Sequence, residues 1–158
     1  VQAHAPAGIT FELGEIADLP LYNEDYDAAS PPSYSRFRNQ VQAADGVLFV
    51  TPEYNRGMSA AMKNAIDVGS RPPVQNVWNN KPCAVISASP STIGGMGANM
   101  QLRQSLVVLN APCMPMECYL HSVHLAFNEQ GELSSEPVQK LLAKFVLALQ
   151  EWVNRFKE

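Results

Sequence analysis

Two short, continuous apolar runs constrain the fold more than any other feature of this chain. Residues 47–50 (VLFV) and 83–86 (CAVI) have the composition of strands that are covered on both faces. A loop follows each run, and a stretch with helical periodicity follows each loop, at residues 59–68 and 98–109. Strands that alternate with helices predict βαβ units, right-handed crossovers and a parallel sheet. The pattern therefore predicts an α/β fold.

The remaining segments are expected to belong to the same single domain, over residues 1–158. Ile9, Phe11 and Leu13 alternate with more polar residues, which predicts a strand with one better-buried face. Further elements are predicted as a helix at residues 31–45, a strand within 114–126, a turn at 128–131 and an amphipathic helix at 137–156.

Composition excludes several classes of protein. The net charge is −4, with 46% hydrophobic and 16% charged residues, so the chain is neither disordered nor a basic nucleic-acid-binding protein. No apolar run approaches the ~20 residues of a membrane span, and the first residues lack a signal-peptide pattern. Three cysteines, an odd number, suggest free thiols in a reducing compartment. We therefore expect a cytoplasmic protein with no nucleic-acid or membrane partner.

The loops at residues 51–57 and 87–95 are the candidate binding segments. Each follows a buried strand and precedes a helix, so both should lie at the same edge of the sheet. Ligands of open parallel sheets bind outside the carboxyl ends of the strands. A cofactor should therefore bind at this edge.

The sequences of these loops resemble a known family. Residues 51–55 (TPEYN) and 61–67 (AMKNAID) resemble the T-P-E-Y-N loop and L-K-N-A-I-D helix of the NADPH-dependent FMN reductases, a flavodoxin-like group that includes quinone, chromate and azo reductases. Residues 87–95 are similar to the second flavin loop of that family. Residues 102–106 (LRQSL) are similar to its L-R-Q helix, and residues 19–23 (LPLYN) to its L-P-L-Y loop.

The resemblance implies a fold and an activity. The fold would be a flavodoxin-like three-layer sandwich with a parallel sheet. The protein would bind FMN non-covalently, accept a hydride from NADPH or NADH, and reduce a small-molecule acceptor such as a quinone, an azo dye or a metal oxyanion. The alternatives are a flavodoxin-type electron carrier and a flavin-free scaffold.

The resemblance also implies the cofactor-binding residues, which are Pro52, Glu53, Tyr54, Asn55, Ser87, Ser89, Gly94 and Gly95. Tyr54 offers an amphipathic ring face, Asn55 offers a donor and an acceptor, and Gly94 with Gly95 permits close backbone approach. A valine at Gly95 should therefore hinder flavin entry and leave the fold intact. The alternative is that the first loop has a structural role only, as a strand-to-helix turn.

No side chain is predicted to be catalytic, because the flavin carries the chemistry. Glu53 should contribute backbone contacts and a favourable charge at a helix N-terminus. Arg56 departs from the family pattern. It would attract the NADPH phosphate or an anionic acceptor, or it is a solvated loop arginine.

Several other residues invite a functional interpretation but favour a structural one. Cys113, Cys118, His121 and His124 match no common zinc spacing, and a strand there would point the histidines to opposite faces, so no metal site is predicted. Cys83 is predicted to be a packing residue. Met58, Met62 and Met96 are expected to fill space near the loops or to line an adaptable acceptor pocket.

The start of the chain and the assembly also depart from the family. The first strand and phosphate loop of the family are not recognisable, and residues 1–5 resemble the end of the helix that would follow that loop. If the domain is N-terminally incomplete, as we expect, the predicted strands at residues 9–13 and 47–50 should not pair. Direct pairing of the two would indicate a rearranged domain. The resemblance implies a homodimer, in which apolar residues at 98–109 and 62–68 contribute. A tetramer is doubtful, because Gly97 and Met100 replace the Arg and Tyr through which some relatives pair dimers.

Overall fold

A computed structural model describes residue 2 and residues 5–157. Its strands are β1 (Val47–Tyr54), β2 (Gly57–Met58), β3 (Cys83–Ala88) and β4 (Cys118–Leu120). Its helices are α1 (Pro32–Ala43), α2 (Ala60–Ser70), α3 (Met96–Val108) and α4 (Glu136–Asn154), with short 3-10 turns at Glu24–Tyr26, Pro73–Gln75 and Val123–Leu125. The predicted helices are therefore confirmed to within a few residues.

The four strands form one sheet in the order β2-β1-β3-β4. β1 pairs with β3 and β3 with β4 in parallel, with Phe49 opposite Val85 and Ser87 opposite Tyr119. The carboxyl ends of these three strands therefore meet at one edge, as the sequence predicts. The antiparallel strand β2 was not anticipated, because two residues carry no detectable periodicity.

Helices cover the sheet on both faces, which makes a three-layer α/β sandwich of the flavodoxin-like type. On one face, residues of α1, α2 and α3 form a core with Phe49 and Trp78. Trp78 is almost fully buried and its Nε1–H donates to the Ile66 carbonyl at 2.9 Å. On the other face, Phe145 and Leu149 of α4 pack against Ile86.

The predicted strand at residues 9–13 is wrong. These residues form no strand and no ladder with β1, although Phe11 packs against the α4-side core. Alternating hydrophobicity is a local pattern, whereas a strand also needs a neighbour that pairs with its backbone groups. The expectation for residues 1–5 lies outside the described residues, except for Gln2 and Ala5.

The run at residues 47–50 is a strand, but it is not covered on both faces along its whole length. Phe49 is buried among the helices of one face, whereas 51% of Val50 is exposed on the other. By contrast, residues 83–86 are almost completely buried, as predicted for a central strand. None of the described helices has both the length and the apolar character needed to cross a bilayer.

Candidate functional site

The first candidate loop is a tight hairpin at the carboxyl edge of the sheet. β1 continues to Tyr54, and the chain turns through Asn55 and Arg56, whose φ angles are 51° and 66°. Positive φ at both central residues is the hairpin geometry that fits the twist of paired strands, and asparagine tolerates it well. Pro52 and Tyr54 are exposed, with 65% of Tyr54 accessible. The hairpin therefore presents an aromatic ring to solvent.

The Glu53 side chain connects this hairpin to α3. Its Oε2 accepts a hydrogen bond from the Ala98 amide at 3.0 Å, and only 9% of the side chain is exposed. The expected carboxylate at a helix N-terminus is thus present, but the helix is α3 and not α2, which follows the hairpin directly. Arg56 lies 3.6 Å from the same carboxylate, with 74% of its side chain exposed. Arg56 is therefore a loop arginine with a weak ion pair.

A second side chain and a glycine complete this junction. Gln101 Oε1 accepts a hydrogen bond from the Met58 amide at 2.8 Å. A Cβ at Gly97 would lie 2.9 Å from both the Arg56 carbonyl and Glu53 Oε2. The absence of a side chain at Gly97, which departs from some relatives, thus lets the hairpin pack closely on α3.

The second loop is held from inside by buried polar groups. Ser87 is fully buried, its hydroxyl donates to the Gly94 carbonyl at 2.9 Å, and Asn99 Nδ2 donates to Ser87 Oγ at 3.3 Å. Ser89 is almost buried and accepts a hydrogen bond from the Ser91 amide at 3.1 Å. Both predicted serines therefore shape the loop from within.

Gly94 and Gly95 adopt φ angles of 65° and 78°. A Cβ at Gly94 would lie 2.9 Å from Tyr119 and His121, and one at Gly95 would lie 3.0 Å from the Ser87 Cβ. Both glycines are therefore required by the packing of the loop itself. We therefore revise the expectation for Gly95, because a valine there should also destabilise the fold.

Two polar residues hold the L-P-L-Y segment at residues 19–22. Asn64 accepts a hydrogen bond from the Tyr22 amide at 2.8 Å and donates to the Pro20 carbonyl at 2.9 Å. Tyr34 donates its hydroxyl to the Leu21 carbonyl at 3.0 Å. The segment is thereby anchored to α2 by Asn64 and to the first turn of α1 by Tyr34.

The residues considered for metal binding do not form a cluster. Cys118 is buried in β4, whereas His121 and His124 lie beyond its end on the surface. The strand is shorter than expected, so the histidines are not on opposite faces of a strand. Within residue 2 and residues 5–157, no group of three potential ligands could hold a metal ion. Of the three methionines that the sequence singled out, Met58 and Met62 are core residues and Met96 is exposed.

Tyr119 lies beside the second loop. Burial, with a contribution from Glu117, raises the pKa of the Tyr119 phenol to about 12. The phenol therefore stays protonated at neutral pH. Its hydroxyl lies 3.7 Å from the sulfur of Met100.

The exposed groups at this edge fit a flavin. An isoalloxazine ring is a flat aromatic plate with a polar rim, so it needs an aromatic or apolar wall and nearby donors and acceptors. Tyr54 supplies the wall. The exposed Asn55 amide makes no side-chain hydrogen bond to any described residue, and so retains a free donor and a free acceptor.

Sequence reasoning missed the residues that position these loops. Asn64, Asn99 and Gln101 each join segments that are distant along the chain. The sequence does indicate a special role for Asn64 and Asn99, because each is a polar residue on the apolar side of a helix. Their partners could not be identified without the tertiary structure.

Comparisons with known proteins agree with this geometry. The family model of the NADPH-dependent FMN reductases matches residues 1–124. A quinone reductase of Pseudomonas putida is 50% identical over 152 residues, which cover 95% of this chain and 81% of the relative. An NAD(P)H-dependent FMN reductase of Pseudomonas aeruginosa is 44% identical over 154 residues, covering 96% and 83%.

A solved structure is also similar. FerB, a flavoenzyme NAD(P)H:(acceptor) oxidoreductase from Paracoccus denitrificans, superposes with a TM-score of 0.90 at 38% identity, over 98% of this chain and 86% of FerB. These matches confirm the expected flavodoxin-like fold, the enzyme class, and FMN with NAD(P)H as the cofactors. The chain belongs to the NADPH-dependent FMN reductase family.

Proposed function

We propose that this protein binds FMN between the hairpin at residues 51–57 and the loop at residues 87–95, and acts as an NAD(P)H-dependent quinone reductase. The observation that carries the proposal is the convergence of both loops on the N-terminus of α3. Glu53 joins the hairpin to Ala98, and Asn99 joins the second loop through Ser87. A site built on such rigid connections holds its ligand in a defined orientation.

The residues have distinct proposed roles. Tyr54 packs against the flavin ring, Asn55 and the backbone of the hairpin bond its polar rim, and Pro52 stiffens the turn. Gly94 and Gly95 form the opposite wall, while Glu53, Ser87 and Ser89 hold the loops in place. When bound, FMN accepts a hydride from NAD(P)H and reduces the second substrate, so no side-chain proton relay is required.

Quinones are the acceptor class that we propose first, because similar proteins are quinone reductases. Azo dyes and metal oxyanions such as chromate are further acceptors that a reduced flavin can reduce. The exposed guanidinium of Arg56 would favour anionic acceptors or the phosphate of NADPH.

The test is spectroscopic and kinetic. The purified protein should carry the absorption bands of oxidised flavin, which should bleach with NADPH under anaerobic conditions and return when benzoquinone is added. Tyr54→Ala should lower the FMN content, whereas the distant, exposed Val74→Ala should not. A flavin that NADPH and NADH cannot reduce would indicate an electron carrier. A protein that cannot bind FMN would be a scaffold.

A further inference from the structure

Arg103, in the L-R-Q segment, has a fixed position that the flavin site does not explain. Its Nε donates to Asn99 Oδ1 at 2.8 Å, Nη1 to the Met114 carbonyl at 2.9 Å and Nη2 to the Met116 carbonyl at 2.9 Å. All three acceptors are neutral. Among the described residues, no carboxylate lies within ion-pair distance of this guanidinium.

The Arg103 guanidinium also contacts the sulfur of a cysteine. Arg103 Nη1 lies 3.4 Å from the sulfur of Cys113. Cys113 is half-buried and lines an open cleft together with Arg103, Asn110 and Phe156. The residue whose sulfur contacts this cation therefore borders a cleft that is open to solvent. A neighbouring arginine favours the thiolate, which is the nucleophilic form.

A second cysteine is paired with the first. Cys83 in β3 and Cys113 are direct partners in a parallel β-bridge, and the Cys83 amide donates to the Pro112 carbonyl at 3.0 Å. Adjacent parallel strands are ~4.8 Å apart, which lies within the range of Cα–Cα distances that a disulfide spans.

The two thiols differ in acidity. The neighbouring Cys83, and then the Arg103 charge, lower the pKa of the Cys113 thiol despite partial burial. The neighbouring Cys113, together with burial, raises the pKa of Cys83, whose thiol donates to the Pro112 carbonyl at 3.7 Å. Cys113 is therefore the more acidic of the two thiols, and Cys83 the less acidic.

We propose that Cys113 and Cys83 form a peroxide-sensitive thiol pair, in which Cys113 is the nucleophile and Cys83 the resolving thiol. The Cys113 thiolate attacks one oxygen of a hydroperoxide, so that an S–O bond forms, the O–O bond breaks and hydroxide or alkoxide leaves. The Cys83 sulfur then attacks the Cys113 sulfur. The S–S bond forms, the S–O bond breaks, and the departing hydroxide takes the Cys83 proton as water. The peroxide gains the two electrons that the two sulfurs lose.

This pair is connected to the candidate flavin site. Arg103 bonds Asn99, and Asn99 bonds Ser87 at the base of the second loop. Oxidation of Cys113 would change the contact between its sulfur and Arg103. The thiol pair therefore lies at one end of a continuous polar connection to the loop at residues 87–95.

The experiment uses the intact, reduced chain and hydrogen peroxide. After treatment the protein is unfolded, alkylated with iodoacetamide and digested without reductant by trypsin and by a protease that cleaves after glutamate, because Glu117 separates Cys113 from Cys118. Mass spectrometry should find Cys83 joined to Cys113 within one chain and Cys118 alkylated, and dithiothreitol should reverse the link. Loss of Cys118 at the same rate as Cys113, or a link between two chains, would overturn the proposal.

Variants separate the roles of the two cysteines. Cys83→Ala should leave Cys113 as a sulfenic acid that dimedone traps, and Cys118→Ala, the matched control, should still form the disulfide. Arg103→Met should slow the oxidation of Cys113 about tenfold at pH 7, while Arg103→Lys should retain most of the rate. An unchanged rate in a folded Arg103→Met variant would contradict the role of the cation. If Arg103→Met does not fold, the peptide map of the unaltered protein still decides the pairing.

Discussion

At the scale of single residues, Tyr54 is the side chain that the proposed function depends on most. It is exposed on a hairpin that Glu53 and Gln101 hold against α3, so the ring is presented by a rigid support. When a flat ligand covers an aromatic ring that is exposed in this way, the buried contact makes binding more favourable.

Tyr54→Ala should therefore weaken FMN binding by about 1–3 kcal/mol, the scale of one aromatic contact. Titration of the FMN-free protein, followed by flavin fluorescence, measures the change. Tyr54→Phe keeps the ring and should bind almost as well as the unaltered protein. Equal affinities for all three proteins would exclude Tyr54 from the site.

Gly95 provides a second prediction at this scale. Gly95→Ala should lower the free energy of unfolding by more than the ~1–2 kcal/mol that a left-handed backbone alone costs, because its Cβ would also lie 3.0 Å from the Ser87 Cβ. Gly131→Ala is a matched control, since Gly131 has a φ of 77° and nothing lies within 4 Å of its Cβ position. Urea denaturation of both variants should rank Gly95→Ala as less stable, and the reverse order would refute the steric argument.

At the scale of elements, the junction between the hairpin and α3 should be sensitive to one carboxylate. Glu53→Ala removes the acceptor of the Ala98 amide and should destabilise the protein by about 0.5–2 kcal/mol, the usual cost of losing a helix cap. Glu53→Gln retains an acceptor oxygen and should lose less. Thermal unfolding of the pair measures the difference, and equal losses would show that charge, not hydrogen bonding, holds the junction.

The elements also show where sequence patterns suffice. The start of α1 follows from Pro32 at its first turn, and its buried side from the spacing of Tyr34, Phe37 and Val41. A helix satisfies its own backbone, so its local sequence carries most of the information. The alternation at residues 9–13 misleads for the opposite reason, because strand formation depends on a partner elsewhere.

At the scale of the whole molecule, the expected homodimer stays a prediction, with its surface revised. Met62, Ala65, Ile66 and Val68 are buried in the core, so the region at residues 62–68 cannot supply an apolar interface. The exposed apolar residues near the site are Ile93, Met96 and Met100, on the second loop and the first turns of α3. A second copy should pack there, because closed two-fold dimers are the commonest soluble assembly.

Light scattering should accordingly give twice the 17.3 kDa of one chain. Met100→Glu should shift the mass towards the monomer, since a charge in an apolar interface loses its hydration. Val108→Glu, on the same helix but away from that stripe, should leave the mass unchanged. A tetramer of the unaltered protein in dilute solution would contradict the prediction.

The amino-acid sequence was enough to identify the α/β class, the two candidate loops and the family, because these depend on short segments whose periodicity and motifs are local. The bonding partners of the side chains in those loops became known only from the folded chain. Glu53 caps α3 and not the next helix, Ser87 faces inward, and Cys83 lies opposite a cysteine far along the chain. Such hydrogen bonds and bridges join residues that only packing brings together. Nothing in the local sequence of one partner specifies the other.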